Sequence, residues 1–132
     1  GSAIAACDKG GEWEQALELL EQMRKRGVRP NTIAFSSAIS ACGNAGKWQE
    51  ALWLLDEMDR TGVEANTITY NSAVHACEKG GEWQQAIRLH ERMRERSIGT
   101  DSITMNSIVR ACERAGQFEL AYEYMRQMEL AD

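Results

Sequence analysis

Four cysteines, Cys7, Cys42, Cys77 and Cys112, follow one another at intervals of 35 residues. A fixed period of roughly 20–50 residues marks a chain built from stacked supersecondary units. Other positions keep the same step: Trp13, Trp48, Trp83 and Phe118; Ala16, Ala51, Ala86 and Ala121; Met23, Met58, Met93 and Met128. Residues 2–27 and 72–97, two periods apart, are identical at 16 of 26 positions. The 132 residues divide into two whole units, 32–66 and 67–101, flanked by partial units 1–31 and 102–132. One domain is expected from 1 to 132.

Each unit reads as two helices. Phe35, Ala38, Ile39 and Cys42 recur at i, i+3, i+4 and i+7, the stripe of a helix from about Ile33 to Asn44. Gly46 breaks the run, as Gly11, Gly81 and Gly116 do in the other units. Trp48, Ala51, Leu52, Leu55 and Met58 form a second stripe ending near Thr61 and Gly62, where glycine suits a left-handed C′ position. Short connections make the helices antiparallel, and one hairpin cannot bury both its faces. The expected fold is all-α: a right-handed α-solenoid of antiparallel hairpins.

The spacing removes the obvious chemistry of the thiols. Stacked helices lie roughly 8–10 Å apart, whereas a disulfide needs Cα atoms within about 7 Å. The cysteines are therefore small core residues in a reducing setting. No C-x-x-C occurs, and neither His75 nor His90 has zinc-ligand spacing to two cysteines. No nucleophile–base arrangement or G-x-x-x-x-G-K loop is present. Neither an enzyme, a metal site nor a cofactor is expected. No window approaches 18 apolar residues, which excludes a transmembrane helix, and no basic segment followed by an apolar run marks a targeting peptide.

The chain lacks the W-x-x-L-G-x-x-Y pattern of a tetratricopeptide unit and its period is one residue too long for it. It resembles the pentatricopeptide repeat family along its whole length. The resemblance rests on Asn71-Ser72-Ala73-Val74, the Ala-Gly or Gly-Gly break, Glu50-Ala51-Leu52, Glu57-Met58 and Gly27-Val28-Arg29-Pro30-Asn31. Ala65 and Thr100 stand where the pattern has proline, and Ser97 where it has glycine. The resemblance implies sequence-specific binding of single-stranded RNA, one base per unit. The readers would be the fifth residues of the units, Ser36, Asn71 and Asn106, with the last residues Asn31, Asn66 and Asp101. The second residues, Ile33, Ile68 and Ile103, would sandwich the base, and Lys9, Lys79 and Arg114 would approach phosphates.

Donor and acceptor chemistry points the same way. An ionised Asp only accepts, whereas an Asn amide also donates. Asp101 thus suits the N–H edge of U or G, and Asn31 or Asn66 the bare acceptor of A or C. By the resemblance, Ser36 with Asn66 reads adenine and Asn71 with Asp101 reads uracil. A plainer role is open for each: Asn and Asp cap helices, and an isoleucine at a helix start can simply pack on the preceding hairpin.

The formal net charge of -5 and the pI near 5.1 oppose a broad cationic patch. Glu14, Glu18, Glu21, Glu50, Glu57 and Glu91 belong to second helices and are expected on a solvated outer face, with Arg92 and Arg96 offsetting Glu91 and Glu95 within one helix. Asp8, Glu78 and Glu113 adjoin the candidate phosphate contacts and temper that groove, while His75 and Arg110 share a register facing RNA. The periodic tryptophans read as core plates. The competing class is a protein-interaction scaffold whose concave surface grips a peptide or helix. The resemblance implies a mitochondrial or chloroplast role in RNA processing, stability, editing or translation. Apolar residues on the last helix, including Phe118, Tyr122 and Met125, suggest self-association through open solenoid ends.

Overall fold

The computed structural model describes residues 13–131, so the expectations for Cys7, Asp8 and Lys9 lie outside the described residues. Among the described residues there are seven helices and no strand: α1 (Trp13–Lys25), α2 (Thr32–Asn44), α3 (Trp48–Thr61), α4 (Thr67–Lys79), α5 (Trp83–Glu95), α6 (Ser102–Arg114) and α7 (Phe118–Ala131). The chain is an all-α helical repeat array. Helices α2, α4 and α6 pack side by side as one layer. Each helix of the second layer rests on the first: α3 lies against α2 and α4, and α5 against α4 and α6. None of these helices is long and apolar enough to cross a membrane.

Small side chains set the spacing of the first layer. Ala38 and Cys42 of α2, Ala73 and Cys77 of α4, and Ala111 and Cys112 of α6 are all buried. At Gly43 the approach is so close that a Cβ would stand 2.8 Å from the backbone oxygen of Ser72. Burial in this seam pushes the thiols of Cys42 and Cys77 up to about 12, aided by the nearby carboxylates Glu50 and Glu82 respectively. Cys42, Cys77 and Cys112 are free thiols, as the spacing requires. Trp13, Trp48 and Trp83 are partly buried plates against the same core.

The α3 helix ends as its sequence predicts. Gly62 adopts φ 76°, and the next amide, Val63 N–H, bonds to Met58 O at 2.8 Å. Ser97 occupies the corresponding place after α5 at φ 56°, the one non-glycine residue of positive φ among the described residues. Serine pays a steric cost there that glycine avoids.

Two expectations about the second layer are corrected. Arg92 and Arg96 do not serve Glu91 and Glu95 within α5 but reach Asp59 on α3, Arg92 with one bond of 2.5 Å and Arg96 with two of 2.5 and 2.9 Å. Arg92 on α5 and Arg96 just after its end both reach across to α3, so the neighbouring helix supplies the nearer anion. Hydrogen bonds from Arg96 lead the effects that hold the Asp59 carboxyl below its ordinary value. Glu57, expected in solvent, is 4% exposed because its side chain falls between α3 and α1, where Arg24 and Arg60 pair with it.

His90 is buried on α5, edge-on to the Tyr124 ring at 5.4 Å. One and two periods earlier the position is Leu55 and Leu20, both buried. Burial, reinforced by Arg94, lowers the His90 pKa below the ordinary imidazole value. The unfolded chain therefore binds this proton more readily. Stability from His90 is complete above about pH 6.5 and falls as the pH drops through that value. His90→Leu should flatten the loss of melting temperature between about pH 7.5 and 5.5; an unchanged slope would show that the imidazole is not its source.

Candidate nucleic-acid interface

The exposed face of the first layer carries the predicted readers. Asn31, Asn66 and Asp101 each occupy the N-cap of a first-layer helix. Asn31 Oδ1 accepts from Ala34 N–H at 2.9 Å, Asn66 Oδ1 from Thr69 N–H at 3.0 Å, and Asp101 Oδ1 from Thr104 N–H at 2.9 Å. The Thr69 and Thr104 hydroxyls donate to the same two oxygens at 3.0 Å. The plainer capping role is thus real. It also fixes what each side chain offers outward, because Oδ1 is committed to the helix. Asn66 is left with its NH₂ group, a donor, and Asp101 with Oδ2, an acceptor.

A second set of bonds brings each cap to its fifth-position partner. Thr32 at the start of α2 donates to Glu64 O at 2.9 Å, and Thr67 at the start of α4 donates to Gly99 O at 2.8 Å. These bonds hold the incoming loop, and the cap two residues later, against the preceding unit. Asn71 Nδ2 donates to Asp101 Oδ2 at 3.2 Å. Ser36 meets Asn66 through one residue, its hydroxyl lying 2.7 Å from Thr69 Oγ1. Burial opposes the charge of Asp101, but bonds from Thr104 and Asn71 prevail and hold its carboxyl below the ordinary value. Asp101 is therefore an ionised acceptor at neutral pH. Asn106 is exposed one period beyond Asn71.

Ile33, Ile68 and Ile103 are 65–68% exposed, which excludes simple packing on the preceding hairpin. Ile33 and Ile68 flank an open cleft of about 280 Å³ whose lining includes Ser36 and Asn66. Two apolar faces with one hydroxyl and one amide between them suit a flat heteroaromatic ring.

The cations are less free than the sequence suggests. Lys79 Nζ donates to Asn44 O at 2.7 Å. Arg114 lies 3.6 Å and Arg110 Nε 3.3 Å from Glu78, and His75 Nδ1 is 3.9 Å away. Glu78 is 5% exposed and stands one period after Gly43. Sequence reasoning recognised an acidic neighbour but not that one buried carboxylate would hold both arginines. No group of three His, Cys, Asp or Glu side chains among the described residues could hold a metal ion.

The family described as the pentacotripeptide-repeat region of PRORP matches residues 2–131. No curated protein matches. Among solved structures, the pentatricopeptide repeat protein PPR10 from maize is similar at 28% identity and a TM-score of 0.85, over 96% of this chain and 18% of that one. PPR10 in complex with an 18-nucleotide psaJ RNA element gives 28% identity and a TM-score of 0.84, covering 96% and 19%. The nuclear proteinaceous RNase P 2 of A. thaliana shares the fold at 16% identity and a TM-score of 0.83, covering 95% and 28%. The chain thus spans about a fifth of the length of the PPR10 chains it matches.

Each cap side chain serves the helix with one terminal atom, so substitutions that keep that atom and substitutions that remove it should differ in stability. Asn66→Ala should cost about 1 kcal/mol through the lost cap. Asp101→Asn keeps an Oδ1 for Thr104 and should change stability by less than about 0.5 kcal/mol. Urea unfolding of both variants checks this, and equal losses would show that the cap at position 101 needs the carboxylate rather than one oxygen.

Proposed function

Since this chain belongs to the pentatricopeptide repeat family, we propose that it binds single-stranded RNA and reads one base per unit, without catalysis. The units are 32–66 and 67–101, with partial units 1–31 and 102–132 on either side. The carrying observation is the hydrogen-bonded pairing of Asn71 with Asp101 and, through Thr69, of Ser36 with Asn66. In this reading Ser36 and Asn66 select adenine, and Asn71 with Asp101 selects the next base, uracil. Asn31 and Asn106 are half-sites of the same kind. Ile33, Ile68 and Ile103 sandwich the bases, and Lys79, Arg114 and Lys9, the last outside the described residues, approach phosphates. PPR10, a similar protein, was crystallised with RNA, which supports the reading.

An organellar role in RNA processing, stability, editing or translation rests on the family alone, since one matched relative is nuclear. Phe118, Tyr122 and Met125, all exposed on α7, support self-association through that helix. A peptide-gripping scaffold is the reading that a base preference would displace.

Asp101→Asn replaces an acceptor by a donor where the base edge arrives. Competition between short oligonucleotides should move this unit's preference from uracil toward cytosine by about 1–2 kcal/mol, and an unchanged preference would sink the assignment. Glu78→Gln should release Arg110 and Arg114. RNA affinity should then rise at low salt, with the slope of log K against log salt steeper by about 0.7 for each further phosphate neutralised. A variant with wild-type affinity and slope would show that these arginines do not face the backbone of the nucleic acid.

A further inference from the structure

We propose that the cleft between α2 and α4 holds the ribose of the nucleotide whose base Ser36 and Asn66 read, and that Ser40, with Ser72 facing it, recognises the 2′-hydroxyl; this rests on the base reading given above. The cleft, about 280 Å³ in volume, has three serines besides Ser36 among its walls, Ser37 and Ser40 from α2 and Ser72 from α4. Its lining includes no charged side chain among the described residues. Thr32 and Ser36 use their hydroxyls within the protein, on Glu64 O and Thr69 Oγ1. Ser37, Ser40 and Ser72 are half-buried, and their hydroxyls have no hydrogen-bond partner among the described residues.

Position along α2 assigns the sugar to this place. Ser36, Ser40 and Asn44 follow at i, i+4 and i+8, so they lie one above another along one side of the helix. Lys79 Nζ stands 2.7 Å from Asn44 O, which puts the candidate phosphate contact at the far end of the series. At 1.5 Å per residue the step from Ser36 to Asn44 is about 12 Å, with Ser40 halfway. In a nucleotide the sugar joins base to phosphate. A base edge held at Ser36 and a phosphate near Lys79 therefore leave the ribose beside Ser40. Gly43 brings the opposite wall close, since a Cβ there would stand 2.8 Å from Ser72 O, and Ser40 and Ser72 thus share one narrow cleft.

The chemistry of the walls matches the group. A serine hydroxyl donates one hydrogen bond and accepts others, as does a 2′-hydroxyl. Deoxyribose offers only C–H at that position and would cover the serine hydroxyls without replacing the water they lose. One period on, between α4 and α6, the arrangement is not repeated. His75 takes the place of Ser40, its Nδ1 3.9 Å from Glu78, and Ser107, 3% exposed, takes the place of Ser72. Discrimination of ribose from deoxyribose thus belongs to the adenine unit and not to its uracil neighbour.

The test is competition, followed by fluorescence anisotropy, among RNA hexamers carrying AU at the read positions. Replacing the adenosine by 2′-deoxyadenosine should weaken binding about fivefold, the loss of one hydrogen bond. The 2′-fluoro analogue, which keeps the sugar pucker of RNA without the hydroxyl, should lose as much. Deoxyuridine at the next position should change affinity by less than about twofold. Ser40→Ala, a change that helices favour, should abolish most of the ribose preference at adenine and keep the preference for adenine over guanine. Full affinity of either modified adenosine probe would overturn the sugar site. So would equal losses at both positions, or a Ser40→Ala protein that prefers ribose as strongly as before; with the adenine preference intact, the base reading would stand in each case. Unmodified hexamers bound without any preference between adenine and guanine would refute the base reading and the sugar site together.

Discussion

Everything in this molecule depends on how closely α2, α4 and α6 approach one another. The distance is set by Ala38, Cys42 and Gly43 on one side and by Ser72, Ala73 and Cys77 on the other, none of them large. Interiors are packed to crystal density, so a seam of small residues admits no water and little adjustment. Once that spacing is fixed, each second-layer helix has one place to lie, in the furrow between two first-layer helices. The helix N-termini then align along one edge, and the residues that cap them form a row. Sulfur suits the seam because it is small, polarisable and, when buried in apolar surroundings, chemically quiet.

The row of caps shows how one side chain can hold a helix and face outward at once. An Asn or Asp has two terminal atoms, and the backbone amide at N3 claims one of them. The other is presented in a fixed orientation without any further packing. Threonines at the same N3 position add a second donor to the claimed oxygen, which makes rotation of the side chain costlier. A preorganised donor or acceptor loses little entropy when a ligand arrives.

Period and helix boundaries were legible in the sequence because every unit repeats them. The cysteine register, the Trp48 start of α3 and the Gly62 cap needed no partner to be recognised. The exposed isoleucines and the capping Asn and Asp were placed by register too. What escaped was set between units. Arg92 and Asp59 are 33 residues apart, and a rule of three or four residues along one helix cannot foresee that pairing. Glu78 and Glu57 share a residue type with solvated neighbours, yet both are buried, since the adjoining helix supplies arginines to each.

The hydroxyl bond between Ser36 and Thr69 has a consequence for how such arrays diversify. Thr69 and Ile68 lie beyond Asn66, on the following helix, yet they complete the pocket that Ser36 begins. A crossover placed at the period boundary would carry away one wall of the Ser36 cleft and the hydroxyl partner of Ser36. The cleft is therefore the joint property of two units. An exchange that begins after Ser72 would leave it whole, whereas one that begins at Thr67 would rebuild half of it.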